Sequence, residues 1–392
     1  MAGLVGMLHE HIPALRLVTI SQRSLRRSFA GFRLPFGRRV FVDTESEIAR
    51  RSQIVRAALE VRAEALKPPV FPPNANSFEL SRKRWLSDTK HPFVADLTPA
   101  MEEADLVLHN AELLNYSANP VSLRGMFLIW FAKKQLGKLA GLINQTTPSS
   151  TEDPVMSGIL DLVCPDLDVV TVREPLSQKA MQARNIPCAM VPDPAFRLGE
   201  DSYDVEGFEA WRQKAGLGSE PYFCLSLSSG LPLMGSEPVV TRLVQSLQGI
   251  VPNAVVMAHG GGVWVLKTTA SKLDDCFVFE GTYRQVWPLL KSASFLVSGH
   301  YHNLIMAAMV GCPFVPLTGI SHKIEGLLEL LGWPSPRTYN PTALAGDVLA
   351  IIQDCRRVLG EHTTLSRHLL ERSAEMHDLS EKNAILIRDL IA

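Results

Sequence analysis

Ala293-Ser-Phe-Leu-Val-Ser-Gly-His-Tyr-His-Asn-Leu-Ile-Met-Ala-Ala-Met-Val-Gly-Cys-Pro-Phe-Val-Pro-Leu-Thr-Gly-Ile-Ser-His-Lys323 decides the fold. Phe295–Ser298 is a short apolar run that ends in Ser298-Gly299, as a buried parallel strand does when it enters a tight turn. Leu304–Val310 continues as an apolar helix that Gly311 and Pro313 stop. Phe314–Leu317 is the next strand, and Lys323 opens a second helix that Gly332 and Pro334 end. In such units ligands sit beyond the carboxyl ends of the strands, where helix N-termini offer N–H groups to anions. His300 and His302 fall at the first of these points, His322 and Lys323 at the second. A single histidine there would be read as a helix cap. Two at i and i+2, followed by a second basic turn, read as an anion site.

Working outward, 392 residues are too many for one ordinary core and suit two α/β domains. The boundaries expected are 1–196 for the first Rossmann-like domain, 197–220 for a Gly-, Asp-, Ser- and Glu-rich linker, and 221–392 for the second. The closing helices are expected at Thr342–Leu359 and His362–Leu390, the last able to swing back onto the first domain. A formal net charge of −1 argues against a nucleic-acid partner. No run of eighteen apolar residues exists, and no signal-peptide succession opens the chain. Six scattered cysteines without a C-x-x-C pair read as buried small hydrophobes in a reducing, cytoplasmic setting. No cluster has metal-ligand spacing, so no metal is expected.

The first domain shows further polar groups at strand ends. Asp105–His109 runs into His109-Asn110-Ala111-Glu112, and Leu139–Asn144 into Gln145-Thr146-Thr147. Asp168–Val172 leads to Arg173-Glu174-Pro175, with Pro175 suited to a first helical turn. Cys188–Val191 leads to Pro192-Asp193-Pro194. Tyr222–Leu227 opens the second domain and is followed by Ser228-Ser229-Gly230. His259-Gly260-Gly261-Gly262 resembles a phosphate loop but lacks its Gly-Lys-Thr ending. The chain opens on a helix, where a strand and glycine turn are expected, so a first strand reads as missing and the true start as lying upstream of Met1. Arg23, Arg26, Arg27, Arg33, Arg38 and Arg39, interleaved with phenylalanines, have two readings: a solvated loop, or a patch in peripheral contact with the inner face of a membrane or a lipid-linked acceptor.

Taken together, Thr171-Val-Arg173-Glu174-Pro175-Leu-Ser177, Val191-Pro-Asp193-Pro-Ala-Phe196, Gly299-His300-Tyr301-His302-Asn303, Gly311-Cys-Pro313 and His322-Lys323 resemble the polysaccharide pyruvyl transferase family over about residues 105–332. The resemblance implies a GT-B-like pair of Rossmann-like domains, each a parallel sheet flanked by helices. It also implies transfer of the enolpyruvyl unit of phosphoenolpyruvate onto a sugar hydroxyl of a cell-surface glycan or a lipid-linked precursor, with no cofactor beyond that donor. Arg173 matches the family's first-domain arginine, and His302 the histidine of its Arg-x-His turn. His300 stands where that turn has arginine. The expected catalytic residues are His302 as acid and Glu112 or Asp193 as base. Arg173, His300, Asn303, Lys323 and Ser229 are expected to bind substrate. The competing readings are a GT-B glycosyltransferase with a nucleotide-sugar donor and a glycan-assembly protein without catalysis.

Overall fold

The structure, a computed structural model, describes residues 2–12, 15–21, 39–44, 70–112, 117–149, 152–228, 231, 235–259, 262–334 and 337–392. The arginine-rich stretch at 22–38 and Ser229 lie outside the described residues. The chain divides into two compact units: Met1–Pro194 together with Ser380–Ala392, and Ala195–Leu379.

The first unit holds a six-stranded sheet. In chain order its elements are α1 (Ala2–His11), β1 (Arg16–Ser21), β2 (Arg39–Thr44), α2 (Phe78–Ser87), α3 (Pro92–Glu103), β3 (Leu106–Glu112), α4 (Pro120–Lys134), β4 (Leu139–Gln145), α5 (Pro154–Val163), β5 (Val169–Val172), α6 (Pro175–Gln182) and β6 (Ala189–Met190). The strands are parallel and lie side by side in the order in which the chain makes them. Right-handed crossovers in a sheet that grows in one direction place the connecting helices on one face. The side chains bear this out. Val107, Ala140, Leu142, Val170 and Val172 pack against Phe78, Trp85, Leu97, Phe127, Trp130 and Leu160 of α2–α5. Leu106, Leu108, Ile143 and Val169 point the other way, as the two-residue period of a strand requires. They pack on Leu4, Met7 and Leu8 of α1 and on Ala384, Ile387 and Ile391 of a helix from the far end of the sequence.

The second unit holds α7 (Val205–Ala215), β7 (Tyr222–Ser226), α8 (Glu237–Gln248), β8 (Asn253–Met257), α9 (Val263–Ala270), β9 (Cys276–Phe279), α10 (Tyr283–Lys291), β10 (Leu296–Ser298), α11 (Tyr301–Met309), β11 (Phe314–Pro316), α12 (Lys323–Leu331), α13 (Leu344–Gly360) and α14 (His362–Ser380). Its parallel strands run β11-β10-β7-β8-β9. From β7 the chain builds outward to β9, then returns to the other side of β7 for β10 and β11. The order therefore reverses between β7 and β10, and a crevice opens at such a switch point. The first sheet has no reversal among its described strands.

Two boundaries differ from the sequence reading. Residues 197–220 are no linker. Phe208 is buried, Trp211 meets Phe279 edge-on at 4.9 Å, and the Asp204 N–H donates to Arg284 O at 2.9 Å, so α7 is built into the second unit. The closing domain also ends earlier than 392. The long helix expected over His362–Leu390 stops at Ser380, and α15 (Lys382–Ile391) belongs to the first unit. Its apolar face finishes the second side of that sheet. Asn383 accepts from Thr171 Oγ1 at 2.9 Å, and Glu381 Oε1 lies 2.6 Å from His11 Nε2.

Candidate functional site

The switch point of the second sheet is assembled from short polar side chains. Ser226 and Ser298 end β7 and β10 in register with each other. A Cβ on Gly299 would run into Ser228 Cβ and lie 2.9 Å from Ser228 Cα, so glycine alone lets the two turns meet. Ser228 Oγ donates to Thr318 O at 2.6 Å and draws in the turn after β11. Asn303 Nδ2 donates to Ser226 Oγ at 2.9 Å and ties α11 to β7. Asn303, expected to bind substrate, thus spends an amide hydrogen on holding the crevice in shape.

Basic groups surround this crevice. His300 is the N-cap residue of α11, but its ring caps nothing; its backbone N–H donates to Ser298 Oγ at 3.0 Å. The ring is mostly buried, and Nε2 reaches no hydrogen-bond partner among the described residues. Burial first, then the charges of Lys323, His259 and His302, pushes its pKa down to about 4. Lys323 opens α12, where His322 is the N-cap residue and its ring also makes no cap. His302 stands exposed on the first turn of α11, its ring 5.5 Å from Tyr301. His259 was not expected here. Its Nε2 lies 2.6 Å from Gly281 O, so the neutral ring carries its proton on Nε2 and leaves Nδ1 as the acceptor. Glu325 Oε1, two residues on from Lys323, accepts from Thr338 Oγ1 at 3.2 Å.

The low pKa leaves the unliganded His300 ring neutral at neutral pH. It also carries a stability signature. The unfolded chain takes up this proton below about 6.5, the folded chain only below about 4. Between those values the unfolded state binds more protons, so stability falls as pH drops through the window. His300→Gln is expected to flatten that part of a plot of urea midpoint against pH. An unchanged slope would mean that the ring is solvated in the folded protein.

In the first unit the motif around Arg173 is closed on itself. Arg173 is 1% exposed; its NH1 donates to Asp193 Oδ2 at 2.8 Å and its Nε to Thr146 Oγ1 at 3.0 Å. Arg173, expected to bind substrate, and Asp193, expected as base, are thus paired with each other in a buried ion pair. Glu174 is the N-cap of α6 and accepts from the Ser177 N–H at 2.9 Å, with Pro175 in the first turn. Glu112, expected as an alternative base, ends β3, and its side chain lies outside the described residues. His109 and Asn110 on the same strand are buried.

Among the described residues no group of three or more His, Cys, Asp or Glu is placed to hold a metal ion. Among them, too, no helix is long and apolar enough to cross a membrane.

Two parallel sheets flanked by helices, with a basic crevice at a strand-order reversal, define a GT-B-like α/β architecture. Solved structures with that likeness include Anabaena HepE in complex with UDP-glucose, at TM-score 0.56 and 13% identity over 90% of this chain and 91% of that one. A UDP-GlcNAc 2-epimerase from Neisseria meningitidis bound to UDP-GlcNAc matches at TM-score 0.55 and 11% identity, over 95% and 98%. A Rickettsia africae glycosyltransferase matches at TM-score 0.50 and 10% identity, over 96% and 98%. At these identities the likeness is one of fold. No curated protein sequence matches the chain. The family model for polysaccharide pyruvyl transferase matches residues 4–227, more than half of the chain. The chain belongs to that family, a family of transferases.

Proposed function

We propose that the chain transfers the enolpyruvyl unit of phosphoenolpyruvate to a sugar hydroxyl of a glycan or lipid-linked precursor, using no cofactor beyond that donor. The observation that carries this reading is the grouping of His259, His302 and Lys323 around the mostly buried ring of His300 at the switch point. Lys323 and the N-termini of α11 and α12 hold the donor's phosphate and carboxylate. The His300 ring donates one hydrogen bond to them. As a dianion enters, its field raises the affinity of His300 for a proton, so the ring becomes charged only in the occupied site. His302, exposed on the first turn of α11, protonates the enol CH2. The acceptor hydroxyl adds to the resulting cationic carbon and loses its proton to a base. A second hydroxyl of the same sugar then attacks that carbon as its bond to phosphate breaks, the hydroxyl proton leaves with the inorganic phosphate, and the pyruvate ketal closes.

The test is phosphate release from phosphoenolpyruvate in the presence of a panel of sugar acceptors, with mass spectrometry of the product. Acceptor-dependent phosphate and a product heavier by the ketal are expected. The structural neighbours HepE and the Neisseria epimerase are described with UDP-sugars bound. Release of a nucleoside diphosphate from a sugar nucleotide, with no phosphate from phosphoenolpyruvate, would overturn the reading.

A further inference from the structure

Strand β9 closes one edge of the second sheet, and among the described strands it has a single neighbour, β8. The Ala254 N–H donates to Asp275 O and the Ala258 N–H to Phe279 O, both at 2.8 Å. Along a parallel strand the N–H and C=O of one residue point to the same side, and the side alternates from residue to residue. Asp275, Phe277 and Phe279 therefore serve the ladder with β8. Cys276 and Val278 turn their main-chain groups outward, to the open edge.

Helix α7 stands along this edge, and a cavity of about 580 Å³ lies between the two. That volume is within the ~300–1,000 Å³ range of ligand pockets. Trp211, Lys214 and Ala215 line it from the helix, and Cys276, Phe277 and Val278 from the strand. Trp211 is fixed in place: its ring meets Phe279 edge-on at 4.9 Å and its Nε1 donates to Val278 O at 3.2 Å. The indole thus occupies one of the outward groups. Cys276 N–H, Cys276 O and Val278 N–H keep no partner among the described residues. Of the charged side chains in the lining, Glu280 is neutralised by Lys267 at 2.6 Å. Lys214 is exposed and pairs with no carboxylate among the described residues, so the wall carries one uncompensated positive charge.

We propose that this edge cavity receives the carboxyl-terminal residue of an extended peptide. In a parallel ladder, the C=O of one residue and the N–H of the residue two further on bracket a single residue of the added strand. Cys276 O and Val278 N–H are such a pair: the first takes the peptide's N–H, the second donates to its carbonyl oxygen. Main-chain bonds of this kind supply the affinity when a strand is added to a sheet edge. The next acceptor along β9 is Val278 O, which the Trp211 indole already fills. The added chain therefore ends at this point, and the free charge of Lys214 favours an end that is a carboxylate. A phosphate ion fits less well, because Cys276 O would face its negative oxygens with no donor between them. The site lies on β9 and α7, outside the basic crevice, and is independent of the donor used there.

N-acetyl-trialanine with a free carboxylate, titrated into the isotope-labelled full chain and followed by NMR of the backbone amides, tests the proposal. The amide signals of Cys276 and Val278 are expected to shift and saturate together. The same peptide with its carboxylate converted to an amide should bind roughly two- to fivefold more weakly, the worth of an exposed ion pair. Lys214→Met should erase that difference and leave the amide form bound as before. N-methylation of the last peptide nitrogen removes the bond to Cys276 O and should weaken binding roughly three- to tenfold in both proteins. Acetate that shifts the two amides as strongly as the peptide at equal concentration overturns the proposal in favour of a site for any carboxylate. Absence of a shift at Cys276 and Val278, or equal binding of the acid, amide and N-methyl forms, also overturns it. Trp211 and Lys214 are then only guards of an open strand edge.

Discussion

His302→Ala is expected to bind phosphoenolpyruvate as the wild type does and to lose turnover by about 10²- to 10⁴-fold, the usual worth of a general acid. The expectation comes from the contrast between two histidines a single residue apart. His300 is mostly buried and its pKa is pushed down to about 4, so in the free enzyme it has no proton to give at neutral pH. His302 is exposed on the same first turn. Environments that separate two neighbouring groups in this way divide acid work from binding work. Calorimetry with phosphoenolpyruvate measures the first half of the expectation and a single-turnover rate the second. Normal turnover in His302→Ala would remove it from the chemistry, and a matching loss of donor affinity would make it a binding residue.

The second large effect is on stability. Arg173→Ala leaves the Asp193 carboxylate buried, 4% exposed, without the guanidinium that lies 2.8 Å from it. Breaking a buried pair from one side costs about 3–5 kcal/mol, because the remaining charge is stranded. Replacing both partners, as in Arg173→Met with Asp193→Leu, is expected to recover most of that loss. Urea denaturation of the single and double variants measures the difference. The double variant separates structure from function as well. If it folds and still binds phosphoenolpyruvate, the pair is structural; if it folds and has lost the donor, Arg173 takes part in binding after all.

The fold was legible where local chemistry settles local structure. Lys323 opens α12 as expected, Pro175 stands in the first turn of α6, and the apolar run near Phe295 is a buried strand shortened by one residue, Leu296–Ser298. What escaped depends on partners distant in sequence. Charge and strand-end position are the same whether or not an arginine pairs with a distant carboxylate, so the contact of Arg173 with Asp193 was not legible in the sequence. The polar composition of 197–220 hid Phe208 and Trp211, whose packing makes that stretch part of a domain. His259 was discounted because its glycine loop lacks phosphate-loop spacing. The useful signal was its place, two residues beyond the end of β8, a strand that pairs with β7 at the switch point. The His-Tyr-His turn was found because two histidines followed a strand and preceded a helix, but its electrostatics were not. The depressed pKa of His300 comes first from burial and then from Lys323 and His259, on separate turns.

The first unit is interrupted: residues 1–194 supply its sheet, while 380–392 return to cover one side of it. During synthesis, every residue of the second unit leaves the ribosome before α15 does. Until then Leu106, Leu108, Ile143 and Val169 lack the cover of Ala384, Ile387 and Ile391. The usual sequence, in which the N-terminal domain folds first, is therefore reversed for the final step. The second unit has its whole chain available while the first still waits for a closing helix. In that interval an apolar sheet face is open to chaperones and to other nascent chains. A frameshift or cleavage after Leu379 would leave that face with α1 but permanently without α15, so its harm would register as aggregation before any effect on the basic crevice was felt.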